Sequence, residues 1–116
     1  MDKNNPLINS AMQIILHAGD ARNNMSDAIS EAAQGNTRKA DELMQTAQDN
    51  INKAHEAQTK IIQNEMAGQT YEPCILFTHA QDTLMTVMSE MKFSSELIKL
   101  HTKLLDLEKG QKKNEK

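Results

Sequence analysis

The only prolines of this 116-residue chain stand at positions 6 and 73, and its four glycines leave long uninterrupted runs between them. Proline and glycine are the residues that punctuate regular backbone, so a chain this sparing of them must fold into few elements, each long. Phe77, Phe93 and Tyr71 are its only aromatic residues. The core must then come from Leu, Ile, Met and Ala, which favour helices, and the reading is an all-α fold. The length suits a single domain over residues 1–116, large enough to bury a core but too short for a second fold.

The punctuation divides the chain into three helices. Pro6 sits where a first helical turn tolerates a missing N–H, with Asn5 as its cap and a loose polar segment before it. Ile8, Met12, Ile15, Ala18, Met25, Ile29 and Ala32 recur mostly in steps of three and four. Gly35 and Asn36 break that pattern, which places helix one at about residues 6–34. Thr37 is a plausible cap for helix two, at about 37–66, whose stripe Ala40, Met44, Ala47, Ile51, Ala54 and Ile61 follows a coiled-coil-like spacing. Gly68 ends it, residues 68–73 form a connector, and Pro73 opens helix three, expected to reach about Glu108 ahead of Gly110. Residues 109–116 read as a disordered tail. Long helices joined by short connections make antiparallel neighbours, hence an up-down-up bundle.

Helix three carries more apolar surface than such a bundle can use. At about 100° per residue, Phe77, Ala80, Leu84, Val87, Met88, Met91 and Ile98 share one face, suited to the core. A second stripe, within about 60° of His79, holds Ile75, Leu76, Asp82, Thr83, Thr86, Phe93, Leu97, Leu100 and Leu104. A helix apolar on two sides is covered on both, which points to self-association through helix three. The eight methionines, at helical spacing, are expected mostly in the core, with an adaptable rim suited to docking more than one partner.

Several functions are disfavoured. The net charge is −3, and no basic stripe interleaved with aromatics argues for nucleic acid. Cys74 is the lone cysteine, without an internal disulfide partner, and reads as a packing residue. No apolar run approaches the length of a membrane span or signal peptide, so a soluble cytoplasmic protein is expected, reaching a membrane only by docking. His17, His55 and His101 lie on separate helices without a second ligand at helical spacing, and solvated or hydrogen-bonded histidines are expected there.

One polar cluster remains, in Thr78-His79-Ala80-Gln81-Asp82-Thr83. His79, Asp82 and Thr83 stand at i, i+3 and i+4 and project from one helix face. Spacing alone leaves two readings open: a hydrogen-bonded surface pair, or a functional site set in an apolar stripe. A noncatalytic interaction module whose cluster fixes register fits the same residues. A metal-dependent hydrolase fits poorly, since further His or carboxylate ligands are missing from that face.

The run Ile75-Leu76-Phe77-Thr78-His79-Ala80-Gln81-Asp82-Thr83-Leu84-Met85-Thr86 resembles the His-Ala-Gln-Asp-His-Leu-Met segment of the lactose/cellobiose-specific enzyme IIA family of the phosphoenolpyruvate-dependent sugar phosphotransferase system. Residues 14–22 (Ile-Ile-Leu-His-Ala-Gly-Asp-Ala-Arg) and 52–59 (Asn-Lys-Ala-His-Glu-Ala-Gln-Thr) are similar to that family's first two helices, in order and spacing. The likeness spans about residues 6–105.

This resemblance implies a parallel trimer of three-helix subunits and a phosphoryl carrier role for His79. It implies that Asp82 from each subunit meets at the threefold axis to bind a divalent metal, usually Mg2+. It further implies a phosphoryl donor, the histidine-containing phosphocarrier protein, and an acceptor, a cysteine of enzyme IIB, during uptake of a β-glucoside-type or lactose-type disaccharide. The membrane enters only through the sugar permease. Thr83 occupies the place where the family commonly has a second histidine, and Gln81 and Thr83 are candidate hydrogen-bond donors to the transferring group. A neutral imidazole supplies a nucleophilic ring nitrogen, and the transfer needs mainly alignment and charge stabilisation.

Overall fold

Asn5 turns the chain into its first helix: its side-chain oxygen accepts from the Leu7 N–H at 2.9 Å, and Pro6 follows in the first turn. In this computed structural model, which describes residues 5–114, α1 spans Pro6–Ala33, α2 Thr37–Met66 and α3 Ile75–Asn114, with no strand among the described residues. The loose segment expected over residues 1–4 lies outside the described residues.

The two turns use glycine for the same reason. Gly35 and Gly68 take φ values of 88° and 100°, a left-handed backbone that side chains with a Cβ resist. At the end of α1, Gly35 N–H bonds Ala32 O and Asn36 N–H bonds Glu31 O; at the end of α2, Gly68 N–H bonds Glu65 O and Gln69 N–H bonds Asn64 O. Each pair is a Schellman closure that satisfies the last carbonyls. Thr37 starts α2 but does not cap it. Asn36 holds the cap position, and its amide is turned back to Glu31 at 2.7 Å.

Helix three departs from expectation at both ends. It begins at Ile75 rather than Pro73, with the Cys74 carbonyl accepting from the Thr78 N–H. It also passes through Gly110 to Asn114, so the disordered tail expected from residue 109 is helical over 109–114, and residues 115–116 lie outside the described residues. Glycine weakens a helix interior by about 1 kcal/mol. It stops a helix where the chain reverses through positive φ, which Gly35 and Gly68 do and Gly110 does not.

The α1 core seam differs from the one expected. Its buried residues are Leu7, Ala11, Ile14, Ala18, Ala21, Met25, Ala28 and Ala32, alternating steps of four and three, while Met12 is exposed and Ile8, Ile15 and Ile29 are half-buried. Alanine dominates because α1 meets an equally alanine-rich seam on α2, Ala40, Ala47, Ile51, Ala54 and Ile61. Small side chains let two helices approach closely, which leaves the larger α1 residues turned outward. On α3, Phe77, Ala80, Leu84, Val87 and Ile98 are buried as expected, Met91 is half-buried and Met88 is exposed. The methionines are not mostly core: among the described residues only Met25 is buried.

The bundle runs up, down and up. Asn5 donates to Glu72 O just ahead of α3, and Arg22 on α1 pairs with Glu90 on α3, so these two helices are parallel. Tyr71 steadies the connector by accepting from Asn64 at 2.9 Å. Cys74 is half-buried against the core, as a packing residue should be. Leu84 is, with Ile14 and Val87, one of the largest fully buried side chains of the core. Leu84→Ala is expected to lower the unfolding free energy by about 2–5 kcal/mol, read from denaturant midpoints at unchanged m-value.

Candidate functional site

α3 leaves one whole side uncovered. Its core face is taken up by α1 and α2, and the stripe centred on His79 looks outward: Ile75 is 90 % exposed, Phe93 64 % and Leu100 54 %, with Leu97, Leu104 and Leu107 similar. Leu76 and Thr83, at the margin of the stripe, are half-buried. From Phe93 to Leu107 the exposed side chains alternate steps of four and three, the spacing of a helix seam that packs against other helices.

His79 and Asp82 stand in this stripe, both exposed and one turn apart. Among the described residues neither the His79 imidazole nor the Asp82 carboxylate takes part in a hydrogen bond, so the two are not the hydrogen-bonded surface pair that spacing alone allowed. Their backbone carbonyls are engaged instead. Thr83 Oγ donates to His79 O at 2.9 Å, and Thr86 Oγ donates to Asp82 O at 2.8 Å. This back-bonding is the usual resting place of a helical threonine hydroxyl. Both ring nitrogens of His79 are thereby left free to meet a partner.

Two expected donors are engaged elsewhere in the free chain. The Thr83 hydroxyl proton is committed to the helix backbone, leaving only acceptor capacity toward His79. Gln81, two residues on and therefore about 200° round the helix, lines a small cleft with Leu7, Tyr71 and Phe77. It cannot reach the outer face without leaving that cleft.

Glu90 also belongs to the outer stripe, about 20° from His79 in projection. Arg22 neutralises it within the same chain, donating from Nε to both carboxylate oxygens at 3.0 and 3.2 Å. These hydrogen bonds raise the Arg22 pKa above its ordinary value; slight burial opposes the shift and the charge of Glu90 adds to it. Both side chains are more than a third exposed, so the pair adds only about 0–1 kcal/mol to the free chain. Its consequence is local charge balance, which leaves Asp82 as the uncompensated carboxylate beside His79.

No group of three or more His, Cys, Asp or Glu side chains converges among the described residues. A single exposed Asp82 offers one hard oxygen ligand, so one chain alone does not make a cation site. Of the histidines left without a role, His55 bonds Thr59 at 3.2 Å, as expected, and His101 is half-buried. His17 differs: its Nδ1 is buried without a partner among the described residues. No helix among the described residues is long and apolar enough to cross a membrane.

Fold and site define a small three-helix protein that presents one free imidazole on a face shaped for helical or protein contact. Residues 9–102 match the model of the phosphotransferase system lactose/cellobiose-specific IIA subunit. The lichenan-specific phosphotransferase enzyme IIA component of Bacillus subtilis is 37 % identical over 94 residues, covering 81 % of this chain and 86 % of that protein. The crystal structure of the cellobiose-specific enzyme IIA from Bacillus anthracis superposes with a TM-score of 0.84 at 37 % identity, over 91 % of this chain and 95 % of that one. The IIA(chitobiose) chain solved with HPr, from the N,N'-diacetylchitobiose branch of the Escherichia coli phosphotransferase system, gives a TM-score of 0.73 at 33 % identity, over 84 % and 95 %. The chain belongs to the lactose/cellobiose-specific IIA family of the sugar phosphotransferase system.

Proposed function

We propose that this chain carries a phosphoryl group on His79, at Nε2, between the histidine-containing phosphocarrier protein and a cysteine of enzyme IIB, in the cytoplasm, during uptake of a β-glucoside-type or lactose-type disaccharide. The observation that carries this reading is the His79 side chain itself, exposed and without a hydrogen-bond partner among the described residues, inside the segment that matches the family. Capture of a relative together with HPr supports the donor.

The chemistry asks little of this chain beyond placement. The lone pair of His79 Nε2 attacks the phosphorus of the donor's phosphohistidine; a P–N bond forms as the donor's P–N bond breaks. In the second step the acceptor's cysteine thiolate attacks the same phosphorus, a P–S bond forms, and the imidazole leaves. Alignment of the three groups in line, with charge stabilised by the docked partner, supplies most of the rate. An unobstructed imidazole on a convex helix suits both encounters, because each partner must reach the same atom. The apolar neighbours of His79 exclude water once covered, which protects a labile P–N bond.

Self-association belongs to the same proposal. Three parallel copies meeting through the outer α3 stripe would cover Phe93, Leu97, Leu100 and Leu104 and bring three Asp82 carboxylates together. Those three carboxylates would hold a divalent cation such as Mg2+, whose preference for oxygen ligands and retained waters fits them, and the ion would offset their mutual repulsion.

The test is incubation with phosphoenolpyruvate and the two general phosphotransferase proteins. Stoichiometric labelling that is acid-labile and alkali-stable is expected. No labelling under those conditions, with a related IIA protein labelled in parallel, would leave the noncatalytic interaction module as the better account.

A further inference from the structure

An open groove of about 830 Å³ runs between α1 and α2, and none of its lining residues belongs to α3. Its volume lies in the range of small-molecule sites, and neither His79 nor Asp82 lines it.

The polar groups along it point to one kind of occupant. From α1 comes His17, half-buried, whose Nδ1 is shut away from solvent with no hydrogen-bond partner among the described residues. A buried nitrogen of this kind is costly to leave unpaired; being out of reach of solvent it is not itself a contact for a groove ligand, and the ring can only report on one. From α2 come Lys53 and Lys60, seven residues apart on one face, neither in an ion pair among the described residues. His55 lies between them in sequence, its Nδ1 engaged with Thr59, so its Nε2 is the free ring nitrogen. Glu56 is the one carboxylate in the lining, and Gln13 is among several side-chain amides there.

Two ammonium groups against one carboxylate leave a local excess of one positive charge in a chain whose net charge is −3. A monovalent anion would use little of this. A phosphate dianion, with acceptor oxygens pointing in several directions, can accept from both helices at once and gains most from paired cations. Metal binding is disfavoured, since two imidazoles and Glu56 do not converge as a ligand group.

We propose that the α1–α2 groove binds a phosphate-bearing small molecule, held by Lys53 and Lys60 and reporting through the rings of His17 and His55. The site stands whether or not His79 carries a phosphoryl group.

Histidine ring resonances of the full chain, titrated at fixed pH and ionic strength, test this directly. Inorganic phosphate, a hexose 6-phosphate, the unphosphorylated hexose and chloride are the four probes. Saturable shifts at His17 and His55, absent at His101, are expected with phosphate at about millimolar half-saturation, and tighter with the hexose phosphate if a sugar occupies the rest of the groove. Equal affinity for both would assign the site to free phosphate. Lys53→Met with Lys60→Met removes two exposed charges outside the core and should weaken binding at least about tenfold. Three results overturn the proposal: a response to phosphate no different from chloride, shifts unchanged in the double variant, or the same shifts with the unphosphorylated hexose.

Discussion

His79→Gln is expected to abolish phosphoryl labelling of this chain while leaving its helix content and thermal midpoint almost unchanged. The side chain is exposed and bonds to nothing among the described residues, so its replacement removes no packing and orphans no partner. Surface changes of this sort fall within about 0.5 kcal/mol, and glutamine is at least as good a helix former as histidine. Labelling should nevertheless fall to background, because an amide has no nucleophilic nitrogen to take the phosphoryl group. The split between intact fold and lost acceptance separates carrier chemistry from a structural role. Label that persists in this variant would move the acceptor to His17, His55 or His101 and sink the assignment.

How much of this was readable beforehand depended on which physical signal each feature left. Helix number and the turns at Gly35 and Gly68 were legible because a left-handed closure needs glycine, and the two faces of α3 were legible because its outer stripe uses large apolar residues. The α1 seam is legible only in part, at Ala18, Met25 and Ala32, for the converse reason. Its buried face is written mostly in alanine, which carries a weak hydrophobic signal but permits the close α1–α2 approach, whereas the stronger signal of Ile8, Met12 and Ile15 belongs to side chains outside the seam. Gly110 misled because composition cannot tell a glycine that reverses the chain from one that does not. At the site, spacing brought His79, Asp82 and Thr83 to one face, but it could not say that the threonine hydroxyl would turn to the backbone, nor that the imidazole would stand unpaired. The resemblance to the family motif carries the role proposed for His79, which spacing leaves open. His17 gave no advance signal at all, because an unpartnered nitrogen is a property of packing between helices rather than of either helix alone.

Asp82→Leu should tighten self-association and make it independent of divalent metal. Within the proposed trimer, Glu90 enters the stripe already matched by Arg22 of its own chain, whereas Asp82 brings a bare carboxylate. Three such charges near a common axis repel by about 1–4 kcal/mol per pair at 4 Å, depending on the effective dielectric. Either a cation or protonation must offset this in the wild type, so chelation should shift its sedimentation toward smaller species and Mg2+ should restore it. Leucine removes the repulsion and continues the apolar seam, and the variant should sediment as a trimer at concentrations where the chelated wild type has dissociated. A variant that falls to monomer would make Asp82 a hydrogen-bonding strut, and a wild type indifferent to chelation would remove the metal from the account. Because His79 lies one turn away and shares no hydrogen bond with Asp82, the leucine variant should still accept label. Acceptance retained alongside tighter assembly would place metal and carboxylate in the building of the trimer, and leave the phosphoryl step to the imidazole alone.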